Sequence, residues 1–150
     1  MPVFRISYKF IPRDEDAIKK SPQFLSDPDG TFKSIIEGID QKGFLQIGER
    51  EWLIKYDSEN KILRERLEKK FTMKNSRGET IQRKVTQNDM LQQEIFDKFD
   101  TVCPPIEGNA LFSLEYCISQ AVSKDNIVIY PIDTKKTVEI LRWIEENISS

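Results

Sequence analysis

Residues 44–86, FLQIGEREWLIKYDSENKILRERLEKKFTMKNSRGETIQRKVT, decide the fold, because their centre satisfies two periodicities at once. Read as a helix, residues 58–70 place Leu63 and Leu67 four apart on a surface of Glu, Lys and Arg, all good helix formers. Read as a strand, Leu63, Leu67, Phe71 and Met73 all fall on odd positions, as a pleated segment with one buried face requires. Asp57-Ser58-Glu59-Asn60 and Asn75-Ser76-Arg77-Gly78 both have the composition of tight turns, with WLIKY before the first and ETIQRKV after the second alternating in polarity. The strand reading is favoured and gives an antiparallel meander of about four strands, with Gly48 at its first hairpin ahead of Trp52, Ile54 and Tyr56.

On the N-terminal side, residues 3–11, VFRISYKFI, put Phe4, Ile6, Tyr8 and Phe10 on one face of a half-buried strand that Pro12 ends. The turn Asp27-Pro28-Asp29-Gly30 then leads to a helix with Thr31 as N-cap, Phe32, Ile35, Ile36 and Ile39 at helical spacing, and Gly43 as its stop. On the C-terminal side, residues 88–99 carry Leu91, Ile95, Phe96 and Phe99 on one helical face, started by Thr86 or Asn88 and broken by Cys103-Pro104-Pro105. Residues 109–123 are read as a further helix with Ala110, Leu111, Leu114, Cys117, Ile118, Ala121 and Val122 as its stripe. IVIYPI (127–132) is read as a short apolar strand, and Asp133 or Thr134 caps a last helix reaching about Ile148. The expectation is a single α+β domain over 1–150, a mainly antiparallel sheet with helices packed on it, in the order β-α-β-β-β-β-α-α-β-α.

Composition narrows the chemistry. Among 150 residues there is no histidine, which removes Ser-His and Cys-His nucleophile pairs, His-ligated metals and the usual proton shuttle near pH 7. The six glycines are scattered and form neither phosphate-binding motif. Cys103 and Cys117, fourteen apart, match no zinc-knuckle or redox spacing and read as reduced thiols, Cys117 within the core stripe. Arg13-Asp14-Glu15-Asp16 lacks the spaced oxygen ligands of a calcium loop. Pro28-Asp29 followed by Asp40-Gln41-Lys42 formally matches a metal-dependent carboxylate nuclease, yet Asp40 and Lys42 fall at a helix end rather than on a strand. No catalytic residue, metal or cofactor is assigned, and the balance leans away from an enzyme.

Charge is unevenly placed. Residues 57–84 hold nine basic and five acidic side chains, residues 85–150 five basic and eleven acidic, and the whole chain has a net charge of −2. The basic segment, with Lys61, Arg64, Arg66, Lys70, Lys74, Arg77 and Lys84 near Phe71, offers a nucleic-acid reading as a basic ribbon, against which stand the interleaved Glu59, Glu65, Glu68 and Glu79. No stretch has the roughly 20 apolar residues of a membrane span, and the start shows no cleavable leader, so a cytoplasmic location is expected. Nineteen isoleucines against three alanines point to an AT-rich coding sequence of the kind carried by phage and mobile elements.

The remaining anomaly is aromatic. On a helix at 109–123, Phe112 and Tyr116 project together from the side opposite the core stripe, and Trp143 edges the apolar arc of the last helix. Aromatics beside an acidic surface are the ingredients of a protein-binding hot spot, with a second packing layer as the alternative use of the same rings. The expected role is therefore a small cytoplasmic inhibitor, an immunity protein or antitoxin of bacterial type or a phage inhibitor. It would occlude a partner protein with a basic surface through Asp97, Asp100, Phe112, Glu115, Tyr116 and Trp143. A nucleic-acid accessory protein using residues 61–84 and a metal-dependent nuclease are the alternatives.

Overall fold

The alternating segment at the N-terminus forms β1 (Val3–Pro12), the strand around which the rest is organised. A computed structural model describes residues 3–13, 27–102, 112–120 and 134–148. The turn Asp27-Pro28-Asp29-Gly30 is itself the first turn of α1 (Pro28–Gly38). Asp27, not Thr31, is the cap, its carboxylate accepting the Gly30 N–H at 3.0 Å, while the Thr31 hydroxyl donates back to the Asp27 carbonyl. A type I turn and a helical first turn share nearly the same backbone, and Pro28 presets the angle for both. Phe32, Ile35 and Ile36 are buried as their spacing requires. Gly43 lies beyond the helix end with φ +143°, where its carbonyl accepts the Lys55 N–H.

β2 (Phe44–Gly48) and β3 (Glu51–Lys55) form the hairpin expected at Gly48, with Arg50 in the left-handed region at φ +93°. The expected four-stranded meander then gives way to α2 (Lys61–Lys70). The Asn60 side chain accepts the Leu63 N–H at 3.1 Å and caps this helix, and Ser58, held by two hydrogen bonds with Gln87, sets the approach. Leu63 and Leu67 are buried, a pair that suits a period of 3.6 as well as it suits alternation. A run dominated by Glu, Lys and Arg with a good cap settles the ambiguity for the helix. A small separate ribbon follows, β4 (Thr72–Lys74) and β5 (Thr80–Gln82), turning at Asn75–Gly78 as anticipated. There the Asn75 Oδ1 accepts the Arg77 and Glu79 N–H groups, and Gly78 has φ +80°.

α3 (Gln87–Val102) opens with a reciprocal cap: the Thr86 hydroxyl accepts the Asp89 N–H at 3.2 Å and the Asp89 carboxylate accepts the Thr86 N–H at 2.9 Å. Met90, Leu91, Ile95 and Phe99 are buried, whereas Phe96, expected in the core, is 41% exposed. The segment read as a helix at 109–123 contains β6 (Phe112–Gln120) instead. Leu114 and Ile118 are four apart and serve either period, but Ser113, Glu115, Cys117 and Ser119 alternate with the apolar positions. β6 pairs with β1 along its full length, from Phe4↔Gln120 to Pro12↔Phe112. Those hydrogen bonds pair one side of β1, whose other side is already held by β3. α4 (Thr134–Ile148) is the last helix, as expected. The strand read at 127–132, Cys103 with its following prolines, and residues 14–16 lie outside the described residues.

The α+β class and the antiparallel sheet stand as read. Among the described residues the main sheet has the order β2-β3-β1-β6. One face, bearing Phe4, Ile6, Tyr8, Trp52, Ile54 and Leu114, packs with residues of α1, α2 and α3 in the main core. The other face, through Val3, Ile47 and Leu53, buries Ile140 and Ile144 of α4, with Leu45 and Trp143 alongside. Helices thus cover both faces of the sheet, and the ribbon stands apart.

Candidate protein-binding surface

On α3, residues four apart share a row along the helix, so Gln92, Phe96 and Asp100 lie one above another. β6 packs beside that row. Phe96 meets Tyr116 with ring centroids 5.2 Å apart and planes inclined at 66°, an edge-to-face contact. Tyr116 is half-buried against the main core, and burial pushes its hydroxyl up to about 12 despite a neighbouring Gln92. Phe96 keeps much of its ring in solvent, and Val102, at the end of α3, is also exposed. Asp100 stands in the last turn of α3, which contains no basic residue. A carboxylate there opposes the helix dipole, by roughly 0.3–1 kcal/mol.

The structure divides the six residues singled out from the sequence. Asp100 and Tyr116 belong to the α3–β6 face, with Phe96 as the ring the sequence reading missed because it placed Phe96 on the core stripe. Asp97 lies on the neighbouring row and faces α2, pairing with Arg66 at 2.7 Å and accepting from Gln93 at 3.0 Å. Glu115 points to the other side of β6, where it pairs with Lys9 at 3.2 Å. Trp143 packs on α4 against the far face of the sheet. Phe112 sits opposite Pro12 at the end of β6, its side chain outside the described residues. Strand geometry also overturns the expectation for Cys117: it is exposed, because odd positions of β6 face away from the main core.

The carboxylates of the nuclease pattern are separated. Asp29 is in the first turn of α1 and accepts a hydrogen bond from the Tyr8 hydroxyl, while Asp40 lies past the other end and pairs with Lys42 at 3.5 Å. Nine helical residues, Gly30–Gly38, intervene, a rise of about 14 Å, so the two cannot grip one ion. Among the described residues no three Asp, Glu or Cys side chains are grouped to hold a metal.

A groove of about 280 Å³ runs between the end of α1, the start of α2 and the middle of α3, lined in part by Ile39, Ile62, Leu63, Glu94 and Lys98. Burial raises the Glu94 carboxyl above the usual range, although its hydrogen bond from the Asp40 N–H and the neighbouring Tyr56 hydroxyl oppose this. Burial and the same carboxylate raise Tyr56. At the start of α3 the balance is reversed: burial acts on Asp89 too, but hydrogen bonds from Arg83 and Thr86 outweigh it and hold the carboxyl below the usual range.

The fold and surface define an α+β domain with three layers, an exposed aromatic–acidic face and a detached basic ribbon. Comparison of the chain with protein-family models, with curated proteins and with solved structures finds no match.

Proposed function

We propose that this chain works by contact, as a small protein-binding inhibitor of the immunity-protein or antitoxin kind, acting in the cytoplasm and occluding a basic surface of its partner with the α3–β6 face. The observation that carries the reading is the Phe96–Tyr116 pair, with Phe96 41% exposed and Asp100 on the same helical row. A large ring left in solvent, backed by a second ring anchored in the core, is a preorganised hot spot that needs little ordering on binding. Asp100 supplies complementary charge, which accelerates encounter with a basic partner. Of the six residues first singled out, Asp100 and Tyr116 are retained for this surface and Phe96 is added.

The test is co-purification with the C-terminal domain of the large secreted protein that this reading expects the neighbouring gene to encode; a neighbouring gene of another kind counts against it. A one-to-one complex is expected, its dissociation constant raised at least thirtyfold by Phe96→Ala, equivalent to about 2 kcal/mol. A free monomer in the presence of that domain, or a complex indifferent to Phe96→Ala and Asp100→Lys, overturns the reading.

A further inference from the structure

The β4–β5 ribbon belongs to neither core. All six of its strand residues are exposed, and Met73 and Ile81, directly paired across it, are 64% and 48% exposed. An isolated two-stranded ribbon is marginal in water, and this one is fixed only at its root. There the Arg83 N–H donates to the Phe71 carbonyl at 3.3 Å, the Arg83 guanidinium lies 3.9 Å over the Phe71 ring, and both its terminal nitrogens bond to Asp89. Phe71 packs against the main core and Val85 is buried, so the ribbon is anchored to the body and its turn is not.

Its charge is one-sided. Residues 69–84 contain six basic side chains and one acidic. The molecule's ion pairs engage Arg83 at the root, but among the described residues Lys70, Lys74, Arg77 and Lys84 make none. Strand alternation and the register Thr72↔Gln82 and Lys74↔Thr80 put Thr72, Lys74, Thr80 and Gln82 on one face, opposite to Met73 and Ile81. The strand residues of that face include no carboxylate, and while the Thr72 hydroxyl is engaged with the Glu68 carbonyl at 2.8 Å, Thr80 and Gln82 offer hydrogen-bonding groups of both kinds.

We infer that the β4–β5 ribbon docks into the major groove of B-form duplex DNA. Charge complementarity selects a polyanion. Width selects the groove: two strands about 4.8 Å apart with their side chains fill a groove about 12 Å wide, whereas the major groove of an RNA duplex is too narrow to admit them. Lys70, Lys74, Arg77 and Lys84 then contact phosphates on the groove walls, and Thr80 and Gln82 face the base edges. This inference is independent of the α3–β6 reading, since the ribbon uses none of those residues.

The experiment is fluorescence anisotropy of the full chain with a labelled 20-base-pair DNA duplex, repeated between 50 and 200 mM salt. Four phosphate contacts give a log–log salt slope of about −3.6, or on the order of a hundredfold loss of affinity over that range. Lys74→Ala with Arg77→Ala is expected to halve the slope, to about −1.8, and to weaken binding at 50 mM salt at least tenfold. The circular dichroism spectrum and Tm of this variant should stay unchanged, because both side chains are exposed. No binding at 50 mM salt with micromolar protein overturns the proposal, as does unaltered binding by the double variant. RNA duplex of the same sequence bound equally well overturns the groove assignment. Poly-glutamate of matched charge competing as strongly as DNA points to an acidic protein in place of a duplex.

Discussion

The Phe96 ring stands edge-on to Tyr116 across the seam between α3 and β6, at 5.2 Å, with Tyr116 held by the core and Phe96 by Tyr116. Such a pair contributes about 0.5–1.5 kcal/mol beyond the area it buries. Phe96→Ala should therefore lower unfolding stability by about 1 kcal/mol, read from a urea titration, while leaving the slope of that titration unchanged. A loss above about 3 kcal/mol would mark Phe96 as a core residue, in conflict with its exposure.

Asp100 should be better for binding than for folding. Asp100→Asn removes a negative charge from a helix end that disfavours it and is expected to raise stability by roughly 0.3–1 kcal/mol. The same change should slow association with the proposed basic partner, most clearly at low salt. A destabilised Asp100→Asn variant in thermal unfolding would contradict the dipole argument.

Glu94 sets a pH dependence of unusual sign. Its folded-state carboxyl is raised, so the ionised form is disfavoured at neutral pH, and that penalty disappears as pH falls through the folded value toward the unfolded one. Glu94→Gln keeps an acceptor for the Asp40 N–H and should be more stable than the parent at pH 7, with the gap closing on acidification. Paired urea titrations at pH 7 and pH 4 check this; a gap that is constant or widens toward pH 4 excludes it.

Asp89 has the opposite sign. Its carboxyl is depressed, so its contribution is present above the unfolded value and is lost as pH falls through the folded one. Asp89→Asn should cost about 1–2 kcal/mol at pH 7, through the cap and the two bonds to Arg83, and progressively less in acid. Amide exchange at the β4–β5 ribbon should quicken in the same variant, because its root is released. Unchanged exchange there would mean that Phe71 alone holds the ribbon.

Legibility followed redundancy. β1 was plain in the sequence because alternation over nine residues admits no helical face, and α1 and α3 were plain because their apolar spacing admits no strand. Leu63–Leu67 and Leu114–Ile118 are spaced by four, which is one helical turn and also two strand repeats. At the first pair the decision lay in the Asn60 cap, and at the second in the nine-residue pairing with β1, a contact between segments at least 100 residues apart in sequence. The candidate surface was legible only in part for the same reason. Placing Phe112 and Tyr116 on a helix hid the contact that Tyr116 makes with Phe96, and no local pattern reveals that α3 turns Asp97 toward Arg66 and Phe96 toward β6.

The hydrogen bonds from Arg83 to Asp89 join the basic ribbon to the beginning of α3, and Asp100 closes its other end. The sixteen residues of α3 span about 24 Å, and their aligned peptide units sum to about 56 D with the positive pole at the ribbon. Along α3, from the basic ribbon to Asp100, side-chain charge and backbone point the same way. In the field of a charged partner, that axis would experience a torque before contact. For the two partners proposed, a polyanion would turn the ribbon toward itself and a cationic surface the Phe96 end, so that each encounter would begin already oriented.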